Sequence, residues 1–151
     1  MPRDGFKLHV VINHVGEIMA FCLTPGNTDD RKPVTKLFKK LQGLAVGDKG
    51  YISKKLAAEL AQMGIKFITK TRSNMKPIER SRFENFFLAK RAIVEAVIGQ
   101  LKEVCQIEHT RHRKPDNFMI IMLAALTAYT LKPRKPSINL KQIENPALIS
   151  N

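Results

Sequence analysis

A strand–helix–strand pattern in the first half of the chain constrains the fold more than any other feature. An almost continuously apolar run over residues 44–47 ends at Asp48 and then turns on glycine. A helical pattern follows, Gly64 ends it, and a second apolar run covers residues 65–69. Two strands joined by a helix pair in parallel through a right-handed crossover. The pattern therefore predicts an α/β fold with Asp48 at the carboxyl end of a central strand that is covered on both faces.

Further elements are predicted on both sides of this unit. Before this unit, alternating β-branched residues predict a hairpin. Between the hairpin and the unit, Asp29 or Asp30 can cap a helix. Apolar residues at three- and four-residue steps predict one long helix later in the chain. The last apolar run is shorter than the ~18–20 residues that span a bilayer, so it is interpreted as a buried helix. The predicted strands are 6–13 and 18–23, and the predicted helices are 31–42, 82–104 and 118–131.

Two carboxylates stand out as candidates for chemistry, namely Asp48 and Glu95. Arg91, Glu95 and Lys102 are spaced to share one face of the long helix, with Glu84 on the same stripe. Carboxylate oxygens on a strand end and a packed helix can hold Mg²⁺ or Mn²⁺ for phosphoryl transfer. Taken singly, Asp48 is more often a turn former before Gly50, and Glu95 is more often an i, i+4 partner of Arg91.

The charge balance favours a polyphosphate partner. The 151 residues include 26 Lys and Arg against 13 Asp and Glu, a formal net charge of +13. Such a field attracts nucleic acid most readily, with anionic membranes the lesser alternative. Two polar loops carry basic residues that can contact DNA phosphates, although each is also explained as a solvated surface residue. These residues are Lys70, Arg72, Lys76, Arg80, Arg111, Arg113 and Lys114.

The cysteines give no sign of a disulfide framework. Cys22 and Cys105 stand alone without CxxC spacing, which fits a reducing cytoplasm. A zinc site built from Cys105, His109 and His112 lacks a fourth ligand, so a packed cysteine and a basic loop are the preferred interpretation.

Two short motifs carry a resemblance to a known family. Asp48-Lys49-Gly50-Tyr51 is similar to the block with the second acidic residue of DDE-type bacterial insertion-sequence transposases. Arg91, Glu95 and Lys102, with three and six residues between them, resemble the block with the third acidic residue. The segments 5–9 and 23–30 resemble the region that links such blocks, so the likeness covers about residues 5–136. Leu88 stands where the family often has tyrosine.

The resemblance implies a ribonuclease-H-like fold, a mixed sheet flanked by helices, and DNA transposition. In such enzymes, metal-activated water nicks the transposon end and the freed 3′ hydroxyl attacks target DNA. Asp48 and Glu95 would then be catalytic ligands of Mg²⁺ or Mn²⁺. Lys102 and Lys49 would contact DNA, and Arg91 would orient Glu95 or contact DNA. The implied setting is double-stranded DNA, a homo-oligomer and the nucleoid of a bacterial cytoplasm.

The first acidic residue of the family has no clear counterpart. Its strand would precede residue 6, and Asp4 beside Gly5 is a poor substitute because metal sites demand particular geometry. We therefore expect an amino-terminally truncated core over 1–132, inactive by itself, and a poorly ordered tail over 133–151. The alternatives are a non-catalytic module that binds nucleic acid, and a regulatory partner that assembles with a full-length transposase through an exposed strand edge.

Overall fold

The computed structural model describes residues 5–105 and 114–144. The predictions for Asp4, His109, Arg111, His112 and Arg113, and for the side chain of Cys105, lie outside these descriptions. The strands are β1 (Phe6–Ile12), β2 (Ile18–Pro25), β3 (Gly43–Gly47) and β4 (Ile65–Thr69). The helices are α1 (Val34–Leu37), α2 (Lys54–Gln62), α3 (Arg82–Ala89), α4 (Ile93–Cys105), α5 (Pro115–Thr130) and α6 (Lys141–Glu144), and a 3-10 turn covers Lys49–Tyr51.

The predicted hairpin is confirmed. Strands β1 and β2 pair antiparallel, with a register shift between Val11 and Ile12. The turn is closed by Asn13, whose side-chain oxygen accepts from the backbone N–H groups of Val15 and Glu17 at 3.1 and 2.9 Å. An Asx-type turn of this kind fixes the strand ends locally, which explains why the hairpin was readable from the sequence.

The strand–helix–strand unit is also confirmed. Strands β3 and β4 pair in parallel from end to end, and α2 connects them. The Ser53 hydroxyl caps the start of α2 by accepting from the Leu56 N–H at 3.2 Å. After the end of α2, Gly64 adopts a positive φ of 81°, which allows the chain to turn into β4. The predicted central position of β3 is wrong within the described residues, where β3 pairs only with β4. The two strand pairs form separate two-stranded sheets, because β1 and β2 pair only with each other there.

The helix predicted over residues 31–42 is reduced to the single turn of α1. Asp29 does not cap it, because its carboxylate instead accepts from the backbone N–H and guanidinium of Arg31 at 2.6–3.0 Å. The position before the helix is Pro33, which makes no side-chain cap. After the helix, Leu41 N–H bonds to the Phe38 carbonyl in a turn. Local side-chain bonding of this kind competes with helix formation.

The single long helix predicted over residues 82–104 is two helices. Helix α3 ends at Ala89, and α4 begins at Ile93 after a tight turn. In that turn Ile93, Val94 and Glu95 each donate to the carbonyl three residues earlier, at 3.0–3.2 Å. Bonds of this i to i−3 type tighten a helix end and change the direction of the faces that follow.

Two hydrophobic cores lie on opposite faces of the hairpin. The first joins α1 and α2 to β4, with Val11, Ala20 and Cys22 of the hairpin packed against it. The second joins α4 and α5, with Leu8, Ile12, Ile18 and Leu23 of the hairpin packed against it. The first core contains Val34, Leu37, Phe38, Leu56, Leu60 and Ile65, and the second contains Val97, Leu101, Met122, Leu126 and Tyr129.

Helix α5 is only half buried, although its sequence predicted a core helix. Tyr129 is fully buried, and its hydroxyl donates to the Gly16 carbonyl at 2.6 Å. The opposite face leaves Ile120 and Leu123 exposed. None of the helices that the structure describes has the length and apolar character needed to span a membrane.

The first residues of the predicted tail contact the hairpin turn and α5. Ile138 N–H donates to the His14 carbonyl at 2.6 Å. The Lys135 ammonium lies 6.0 Å from the ring centre of Tyr129. The domain boundary at residue 132 stays a prediction.

Candidate active site

Asp48 lies where the sequence placed it, directly after β3. Its side chain is 65% exposed and precedes the 3-10 turn over Lys49–Tyr51. The backbone N–H of Lys49 donates to the carboxylate, and this bond, with the nearby Arg91 guanidinium, lowers the pKa of Asp48. The carboxylate is therefore ionised and reachable from solvent at neutral pH.

Arg91 meets Asp48 although the two are 43 residues apart in the chain. The guanidinium donates from Nη1 to Oδ1 of Asp48. Arg91 lies in the tight turn between α3 and α4, so the helix break brings it to the strand end. The two motifs that the sequence singled out thus meet in space.

Glu95 and Lys102 lie on α4, both with exposed side chains. Glu95 is in the first turn, where a carboxylate is favoured by the helix dipole, and Lys102 is in the last turn. Their positions differ by seven, about two helical turns, so they share one side of the helix. The structure brings Arg91 into contact with Asp48 and places Glu95 one turn further along the chain.

Glu84 does not belong to this face, which corrects the predicted stripe. It is 6% exposed and forms an ion pair with Lys66 on β4. It also accepts from the Ser81 N–H at 2.8 Å, while Ser81 accepts from the Glu84 N–H, so the two form a capping box. The Lys66 ammonium and then the Ser81 N–H lower the pKa of Glu84. Its role is therefore to hold α3 against β4.

The described residues do not by themselves fit a metal centre. Within residues 5–105 and 114–144, no group of three or more acidic, His or Cys side chains is placed to hold an ion. One oxygen of Asp48 is already engaged by Arg91. A divalent ion needs more oxygen donors than Asp48 and Glu95 supply.

Asp30 is a further carboxylate near Tyr51 and Asp48, and the sequence did not indicate this position. Burial raises the pKa of the Tyr51 phenol, and the charges of Asp30 and Asp48 raise it further. Asp30 was predicted as a helix cap, but it accepts from the Lys7 ammonium at 3.0 Å instead. The only sequence signal for this position was its place in the segment 23–30. His9 is a buried residue of β1, and its Nε2 is hydrogen-bonded to the Thr24 hydroxyl at 2.8 Å.

A basic pocket of about 290 Å³ adjoins the Asp48 strand end. Lys49, Lys70 and Arg80 line it, together with Asn85, which sequence reasoning did not single out. The other predicted DNA contacts that the structure describes, Arg72, Lys76 and Lys114, are exposed.

Comparison with known proteins finds a protein family that the chain matches. A family model described as a transposase DDE domain matches residues 4–115. This range covers well over half of the chain and includes Asp48, Arg91, Glu95 and Lys102. No curated protein and no solved structure matches the chain at a significant level.

Proposed function

Because the chain belongs to the transposase DDE-domain family, we propose that it is the catalytic core of an enzyme that nicks DNA ends and transfers the freed strand during transposition. The observation that carries this proposal is the contact between Asp48 and Arg91. It unites the two motifs at a strand end, where an α/β fold commonly places its chemistry.

The architecture supports a ribonuclease-H-like fold. The protein is a mixed α/β structure with one antiparallel strand pair, one parallel strand pair and helices packed on them. The strand–helix–strand unit places Asp48 at a carboxyl end, as the proposed site requires.

We assign roles to four residues in this proposal. Asp48 and Glu95 are the carboxylates that would hold Mg²⁺ or Mn²⁺ together with donors from outside the described residues, and the ion would supply activation of water and neutralisation of phosphate charge. Arg91 is a positioning residue, because it holds Asp48 in the structure. Lys102 would contact a DNA phosphate near the cut.

The proposed partner is double-stranded DNA, both transposon ends and target. The net charge of +13 supports it, and Lys49, Lys70, Arg72, Lys76 and Lys114 are the described basic residues proposed to contact phosphates. Arg111 and Arg113 remain in the proposal without structural description. We also propose a homo-oligomer that acts at the nucleoid of a bacterial cytoplasm, as in insertion-sequence transposition.

Manganese binding and nicking of supercoiled DNA test the proposal together. We expect weak Mn²⁺ binding by the wild-type chain, detected by paramagnetic broadening of NMR signals near Asp48, and little or no nicking by this chain alone. Asp48→Asn and Glu95→Gln should each weaken that binding. Glu59→Gln is the matched control, because Glu59 forms a solvent-accessible i, i+4 ion pair with Lys55 on α2. Broadening or nicking that survives in both Asp48→Asn and Glu95→Gln would contradict the assignment.

A second candidate is a module that binds DNA without cutting it, acting alone or as a regulatory partner of a complete transposase. The guanidinium on Asp48 and the absence of a three-donor group among the described residues favour it. It predicts tight duplex binding with no Mn²⁺ effect that depends on Asp48 or Glu95.

A further inference from the structure

The basic pocket is built by three separate parts of the chain. Lys49 follows β3, Lys70 and Thr71 follow β4, and Asn85 lies on α3. Leu88 of α3, which is buried, also lines it. The pocket therefore depends on the packing of α3 beside the ends of β3 and β4.

All charged side chains that line the pocket are positive. Lys49, Lys70 and Arg80 each contribute a cationic side chain, and the lining that the structure describes includes no carboxylate. Asn85 and Thr71 can supply further hydrogen bonds. The three cations repel one another, and an anion in the pocket would be attracted by all of them.

Arg80 is held in place before any ligand arrives. Its Nη2 donates to the Thr69 carbonyl at 2.7 Å, and the Asn85 amide donates to the Arg80 carbonyl at 3.4 Å. A guanidinium fixed in this way has already lost part of its conformational freedom, so binding an anion costs less.

The pocket directly adjoins the contact between Asp48 and Arg91. Lys49 is the residue after Asp48, and Leu88 and Ala89 lie just before the turn that carries Arg91. An anion in the pocket would therefore lie next to the turn that follows Asp48. The pocket volume of about 290 Å³ leaves room for a phosphate group.

We propose that this pocket binds one backbone phosphate of the DNA strand and thereby sets the position of that strand relative to Asp48. The choice of DNA rests on the proposed function. The phosphodiester itself is recognised by Lys49, Lys70 and Arg80, with Asn85 as an uncharged partner. This separates the pocket residues from Arg72 and Lys76, which lie in the same loop and do not line the pocket.

Inorganic phosphate is the first probe, with sodium chloride at equal ionic strength as the reference. We expect phosphate to shift the NMR amide signals of Thr71 and Asn85 in the wild-type chain. Lys70→Gln/Arg80→Gln should lose these shifts. Lys39→Gln/Arg134→Gln removes one exposed lysine and one exposed arginine away from the pocket and should keep them.

Duplex DNA is the second probe. Lys70→Gln/Arg80→Gln should lower the affinity about tenfold and reduce the slope of log affinity against log salt by about one, the value for one lost phosphate contact. Lys39→Gln/Arg134→Gln should change both quantities much less. Asn85→Asp places a negative charge in the pocket and keeps the bond from Arg80 to the Thr69 carbonyl, although it removes the 3.4 Å bond from the Asn85 amide to the Arg80 carbonyl. It should therefore reproduce the loss if the pocket double variant folds poorly.

Three results would overturn the proposal: no phosphate shifts in the wild-type chain, shifts that persist in both pocket variants, or equal losses of DNA affinity in the pocket and control double variants. Asp48→Asn and Glu95→Gln keep the pocket and should still bind phosphate. If those two variants leave Mn²⁺ binding unchanged while the pocket variants lose phosphate, the proposed function fails and the pocket assignment stands.

Discussion

The carboxylate of Asp48 has a local partner and a distant one. The Lys49 N–H is fixed by the turn itself, whereas the Arg91 guanidinium arrives through the fold. Both lower the pKa of Asp48, but only Arg91 can be removed without changing the backbone. This difference makes the contribution of the distant partner measurable.

Replacing Arg91 by alanine should raise the pKa of Asp48 towards its ordinary value of about 3.9 without reaching it, because the Lys49 bond remains. The pair is largely exposed, so the free energy of unfolding should fall by less than about 1 kcal/mol. An NMR pH titration of the Asp48 carboxyl measures the shift. Arg134→Ala is the matched control and should leave the titration unchanged. Equal pKa values in wild type and Arg91→Ala would contradict the observed contact.

Replacing Glu84 by glutamine should make the free energy of unfolding vary less between neutral and acidic pH. The folded-state pKa of Glu84 is lowered, so its contribution is present above the unfolded value of about 4.3 and is lost as pH falls through the folded value. Wild type should therefore be more stable than Glu84→Gln at pH 7, and the difference should shrink in acid. The urea midpoints of wild type and Glu84→Gln, measured at pH 7 and in acid below the folded-state pKa, test this prediction. Glu59→Gln, at an exposed pair on α2, should show almost no difference at either pH.

At the scale of elements, local signals decided which predictions succeeded. Ser53 and Gly64 mark the ends of α2 by chemistry that belongs to single residues, so the strand–helix–strand unit was predictable. The break between α3 and α4 has no such signal, because Lys90, Arg91 and Ala92 are all compatible with a helix. The same break explains why Glu84 was wrongly placed beside Glu95.

The contact between the hairpin turn and the segment after α5 could not be predicted from the sequence. It requires glycine at position 16. Gly16 has a φ of 78°, and an added Cβ would collide with the Pro136 carbonyl oxygen. Gly16→Ala should therefore cost about 1–2 kcal/mol for the backbone conformation and more for displacing Pro136.

Gly64→Ala is the matched control for that prediction. Its φ of 81° is nearly the same, but its Cβ would lie 4.0 Å from the nearest atom, the Cβ of Gln42. Gly64→Ala should therefore lower the free energy of unfolding only by the cost of the backbone conformation. Chemical unfolding of both variants gives the difference, and equal losses would show that the Pro136 contact carries no weight.

At the scale of the whole molecule, the hairpin is shared by two cores and should make them unfold together. Leu60 lies in the first core and Leu101 in the second, and both are essentially buried. Replacing either by alanine should cost about 2–5 kcal/mol. Each variant should still unfold in one transition in urea, followed by circular dichroism. A variant that splits the transition in two would show that the cores are independent.

Candidate site residues could be proposed from the sequence, whereas their contacts could not. Asp48 and Arg91 were singled out from sequence spacing, and their contact follows from the fold. The convergence of Lys70, Arg80 and Asn85 was hidden, because it depends on where a loop returns to the end of β4. Long-range juxtaposition of this kind leaves no periodic trace in the sequence.

The two cores also give the protein a natural pair of optical reporters. The chain has no tryptophan and only two tyrosines. Tyr51 packs against the first core, and Tyr129 is buried in the second. Tyr129→Phe therefore leaves a fluorophore that reports on the strand–helix–strand half beside Asp48, and Tyr51→Phe leaves one that reports on the helical half. Intrinsic emission can thus follow each half of the molecule separately, without an attached dye.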